Sequence, residues 1–221
     1  MSPYERLIEA TRNEREAFIR LPLVETAVAN GASREMYLAF LSEAYHHVKH
    51  TFPLLALTAS LTKDEQLRES LAEYMKEEYG HEQWILEDIR RMGGDAAAVA
   101  ASKPRMPCRT MVAHTYYAVQ WESPYAMLGM VHVLEGLSVL LADKLAGAMK
   151  ARLRTANDDG FSYLRSHGAL DVEHTAMFKR LIDGFKDPAV VDIVIEHARI
   201  MYRLYGAIFE DLALLEQRRA A

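Results

Sequence analysis

Apolar residues recur at intervals of three and four through almost the whole chain, and no stretch alternates with the two-residue period of a strand. That pattern restricts the chain to helices packed on helices. Punctuation agrees with it. Ser2-Pro3 with Glu5 reads as an N-cap, a proline at the first helical position and a capping-box acid. Gly31-Ala32-Ser33 opens a long second helix, expected to run to about Ala59 with a bend at Pro53. Thr62-Lys63-Asp64-Glu65 reads as another capping box, on a helix closed by Gly93-Gly94. Further helices are expected over roughly Arg109–Trp121, Pro124–Arg154 and Phe161–Phe185, and from Pro188 onward. The expectation is an all-α bundle of about seven helices, residues 1–221 forming one domain.

Several function classes are excluded early. The net charge is only −5 and no basic stripe appears, which argues against a nucleic-acid partner. Cys108 is the one cysteine, so neither a disulfide framework nor a Cys-rich metal site can form within the chain. The N-terminus is charged from the start. The most apolar long segment, Met127–Met149, carries His132, Glu135, Asp143 and Lys144 and is a poor membrane span. A cytoplasmic protein without membrane partners is expected.

Ionisable residues on core-facing stripes are the informative exceptions. His167, Asp171 and His174 follow i, i+4, i+7 spacing, so all three project from one helix face, flanked by Leu170, Met177 and Phe178. Two imidazoles and a carboxylate suit iron, manganese or zinc. Glu78 and His81 form Glu-x-x-His, the unit that bundle dimetal sites use, and Glu77 stands where it could replace Glu78. Gly80 between them suggests close approach of another backbone or a ligand. Glu135 lies amid apolar sequence, where a metal would remove the cost of burying its carboxylate. Glu43 shares a face with His47 and His50; Glu43 reads as a ligand, the two histidines as cavity wall. Tyr45, Tyr117, Trp121 and His132 complete the set expected around a substrate cavity.

From about Ser33 to Phe185 the chain resembles the haem-oxygenase-like diiron oxidases, the iron-containing redox enzymes related to the TenA and PqqC proteins. The resemblance rests on His167-x3-Asp171-x2-His174, preceded by Glu135 and by His81 at similar separations. It also rests on Glu78-Tyr79-Gly80-His81-Glu82-Gln83-Trp84 and on Tyr45–His50. It implies a seven-helix haem-oxygenase-like fold, two iron ions (with manganese or zinc possible on purification) and a homodimer. By that likeness His167, Asp171 and His174 hold one iron, Glu78 and His81 with Glu43 the other, and Glu135 lies between them. The implied function is O2-dependent oxidation of a small organic substrate, with an electron donor the sequence does not name.

The alternatives are a TenA-like, metal-independent hydrolase of thiamin-related pyrimidines, with Glu43 or Glu210 as acid/base, and a non-catalytic metal-binding helical protein. The hydrolase alternative is weakened because the stretch Pro124–Arg154, where TenA-type hydrolases carry their nucleophile, has no cysteine. Haem oxygenases proper use an axial histidine near the N-terminus, and the first histidine here is His46.

Overall fold

The structure is a computed structural model. It describes the backbone of residues 1–155 and 158–220, and within those it describes side chains except for residues 167–173, 219 and 220. The helices in order are α1 (Pro3–Ala10), α2 (Arg12–Ile19), α3 (Pro22–Asn30), α4 (Arg34–Val48), α5 (Thr51–Leu61), α6 (Glu65–Glu78), α7 (Glu82–Arg91), α8 (Ala96–Ala101) and α9 (Met106–Tyr117). A π-helical segment (Ala118–Glu122) comes next, then α10 (Ala126–Leu153), α11 (Ser162–Gly184) and α12 (Pro188–Ala220). No strand occurs among the described residues.

The all-α expectation holds, but the helices are shorter and more numerous than the seven expected. Each added break has a local cause. The expected helix from Ser33 divides at Lys49–His50, and Pro53 sits in the first turn of α5, where its missing N–H costs nothing. The helix expected to run from Thr62 to Gly93 divides between α6 and α7, where Gly80 takes a φ of +87°. Among the described residues, nothing lies within 4 Å of where a Cβ would stand there. Gly80 is therefore required by backbone conformation, and no described backbone approaches it closely. The start of α6 is also corrected. Asp64 is the cap, its carboxylate accepting from Leu67 N at 3.1 Å, while Thr62 Oγ1 accepts from Asp64 N. The Ser2–Glu5 capping box forms as expected.

α10 is the hub, packing on α11, α12 and α3. By length and composition it is the one described helix able to cross a bilayer; here its apolar surface is used in the core, with Met127, Val133 and Met149 almost fully buried. Gly129 lets α12 come close: a Cβ at this position would lie 2.7 Å from Ala198 N. A second apolar cluster joins α4, α7, α10 and α11 through Tyr37, Leu41, Ile85, Ala146 and Phe161. Asp88 locks that cluster. Fully buried on α7, it accepts from Ser162 N (3.0 Å), Ser162 Oγ (2.7 Å) and Tyr163 N (2.8 Å), and so caps α11 from another helix.

Candidate metal centre

Three of the expected donors meet where α6, α10 and α11 face one another. Glu78 ends α6, Glu135 is mid-α10 and His174 is mid-α11. One ligand atom from each lies within 4.8 Å of the others. His174 Nδ1 is 3.4 Å from Glu135 Oε1 and 3.9 Å from Glu78 Oε1. Its other nitrogen, Nε2, contacts the carboxylate of Glu77, which is half-exposed. Both α6 acids flagged by the sequence thus reach His174, from opposite sides of its ring.

Tyr74 organises the site. Lying one turn before Glu78, it shares that residue's face. Its hydroxyl donates to Glu135 Oε2 at 3.3 Å and is 3.4 Å from the His174 carbonyl oxygen, and its ring lies 5.2 Å from the imidazole. Spacing from Glu78 was the signal that could have found it. His81 stays near Glu78, with Nδ1 3.2 Å from Glu78 Oε2 and its ring stacked on Trp84 at 4.0 Å. It reaches that position across the Gly80 break and not along one continuous helix. His167 and Asp171 lie on α11, but their side chains fall outside the described residues.

Glu78 and Glu135 stand in the wall of a cavity lined otherwise mainly by aliphatic and aromatic side chains from α3, α4, α10 and α12. No Lys or Arg lines it among the described residues. Two carboxylates and an imidazole, converging in so apolar a setting, make a donor set of the kind iron takes.

A family model described as iron-containing redox enzyme matches residues 38–206. The chain belongs to the iron-containing redox enzyme family. Solved structures agree on the fold of this family member. A domain of unknown function with a heme oxygenase-like fold from Shewanella denitrificans OS217 is 22% identical, with a TM-score of 0.85 over 96% of this chain and 92% of that one. A TenA homolog from Pseudomonas syringae pv. tomato DC3000 is 10% identical, with a TM-score of 0.77 over 95% of this chain and 92% of that one. Heme oxygenase-1 from the cyanobacterium Synechocystis sp. PCC6803, in complex with heme, is 11% identical, with a TM-score of 0.74 over 96% of this chain and 92% of that one. The redox enzyme therefore has the haem-oxygenase-like all-α fold. A search of the curated proteins returned no match.

Other expected site residues stand elsewhere. Glu43 is buried, but its Oε2 accepts from Arg105 N at 3.1 Å, at the N-cap of α9. The positive end of a helix compensates this carboxylate; burial still raises its pKa. Of the expected cavity residues, only His47 lines the cavity. Tyr117 and Trp121 are exposed, at 56% and 74%. The π-helical segment adds residues to its turn, so Trp121 leaves the face that a continuous α-helix would give it. His50 Nδ1 pairs with the Tyr116 hydroxyl at 3.1 Å, and Tyr45 lies under the Lys49 ammonium. His132 is buried against Phe178 and Tyr202, with Nε2 3.2 Å from Thr11 Oγ1. Cys108 is fully buried in α9, and burial pushes its thiol up to about 12, so it is no ready nucleophile. Glu210, the other acid/base considered for a hydrolase, is on the surface.

Proposed function

We propose that this protein is a non-haem diiron oxidase or oxygenase that uses O2 to oxidise a small organic substrate held in the bundle cavity. The observation carrying the reading is the meeting of Glu78, Glu135 and His174, with both carboxylates in the wall of an apolar cavity. Glu78, Glu135 and His174 would hold iron, with His81 beside Glu78. His167 and Asp171, two turns and one turn before His174 in the sequence, would complete the second ion's ligands. Bound in the ferrous state, the iron pair supplies the electrons and open coordination positions that O2 activation requires.

The chain's own residues do the rest. Glu77 contacts His174 Nε2, which turns Nδ1 toward the two carboxylates; a ligating histidine oriented by a second carboxylate is a common metal-site arrangement. Tyr74 holds its proton toward Glu135 Oε2, which leaves Oε1 to face His174. The apolar wall excludes water and orients the substrate beside the carboxylates.

Metal analysis of protein expressed with added iron tests the reading, together with oxygen uptake by the reduced protein. Two irons per chain are expected, falling below one in His174→Ala and Glu135→Ala with circular dichroism unchanged. Protein that takes up no iron anaerobically refutes the reading. Iron held tightly without oxygen consumption across a broad substrate panel replaces catalysis with storage.

A further inference from the structure

The cavity itself describes its occupant. Met130, Leu134, Leu141, Leu145 and Met149 line it at helical spacing along α10, on the side that also presents Glu135. At ~1.5 Å per residue, that stripe covers roughly 28 Å of helix. The cavity has a volume of about 160 Å³, several times the ~30 Å³ that one water takes up in the liquid. Such a void along an apolar stripe suits an elongated molecule.

Charge narrows the class. Among the described residues the wall holds no Lys, Arg or Asp, and its acids are Glu78 and Glu135 at the metal-binding end. A charged group elsewhere along the stripe would leave water without a counter-charge. One polar feature does interrupt the stripe. Ser138 lines the cavity, and among the described residues its buried Oγ has no hydrogen-bond partner. It lies at i+3 from Glu135, which puts the two Cβ atoms about 5–6 Å apart. A buried hydroxyl left unpaired costs free energy that a ligand's polar atom would recover.

We infer that the cavity takes a substrate with an uncharged, largely aliphatic body lying along α10. The substrate carries a hydrogen-bonding group such as a hydroxyl, ether or amide, held by Ser138 about one helical turn from the meeting point of Glu78, Glu135 and His174. Calling this occupant a substrate rests on the oxidase reading; the binding itself does not need iron.

The test is displacement of the uncharged fluorophore N-phenyl-1-naphthylamine from full-length protein, with and without iron, by straight-chain 1-alkanols of increasing length. Each added methylene is expected to tighten displacement about fourfold, the factor that ~0.8 kcal/mol per buried CH₂ corresponds to. Dicarboxylates of equal length should displace at least tenfold more weakly. Leu145→Trp, which fills the stripe away from the carboxylates, should weaken the longer alkanols tenfold or more. Ser138→Ala should weaken decan-1-ol roughly three- to tenfold while leaving 1-chlorodecane unchanged. The inference is overturned by affinity independent of chain length, by dicarboxylates matching alkanols, or by a Ser138→Ala variant that treats the two decyl compounds alike. Should Leu145→Trp misfold, the chain-length series and Ser138→Ala decide alone. Chain-length dependence in a protein that binds no iron would sink the oxidase reading and leave this one standing.

Discussion

His132 should make the fold sensitive to mild acid. Thr11 Oγ1 donates to Leu7 O at 2.8 Å, so its proton is committed, and the 3.2 Å contact with His132 Nε2 requires the imidazole N–H as donor. The ring is buried. Burial, aided by the Arg15 charge, lowers its pKa from 6.5 to about 4. In the unfolded chain the imidazole takes up a proton near pH 6.5, so stability is fully present above that value and is lost as pH falls toward 4. For this one group, proton linkage gives a loss of about 2 kcal/mol between pH 8 and pH 5 and about 3 kcal/mol by pH 4. His132→Phe keeps a flat ring against Phe178 and Tyr202, leaves Thr11 bonded to Leu7, and removes the titration. Urea unfolding of both proteins at pH 8, 7, 6 and 5, with m-values held equal, isolates the effect because every other group cancels in the difference. The wild type should lose about 2 kcal/mol more than the variant on going to pH 5. Parallel pH profiles would refute the argument.

Substitutions at two further positions probe the breaks and ties that build the site. Gly80→Ala places a Cβ in open space but at φ +87°, so it should cost about 1–2 kcal/mol in urea unfolding; a gain in stability would show that the break between α6 and α7 does not need positive φ. Asp88→Ala strips the cap from α11 and should cost about 2–4 kcal/mol at pH 7, with Asp88→Asn recovering part of it through the remaining carbonyl. A loss under about 0.5 kcal/mol for the alanine variant would contradict the role given to those bonds.

Features that depend on neighbours three or four residues away were legible in the sequence. The Ser2–Glu5 box, the helix start at Ser33 and the helical character of the chain all formed as expected, because helix hydrogen bonds and caps are local. The donors Glu78, Glu135 and His174 could also be nominated, since a polar residue on an apolar stripe stands out in one dimension.

Their use could not be read so directly. Glu43 and Glu135 look alike in sequence, each a carboxylate on a core-facing helix. One reaches the N-terminus of α9 and the other reaches His174, and only the placement of distant helices separates the two outcomes. Asp88 carried no signal at all, because its partners lie more than seventy residues away. The Glu78-x-x-His81 spacing presumed a continuous helix, which the left-handed turn at Gly80 interrupts. Periodicity therefore set which faces are apolar, and the chain's amphipathic helices arose from it. Which buried carboxylate meets a helix end, which meets an imidazole, and where a cavity opens between them depend on long-range packing. Local spacing carries no record of those distances.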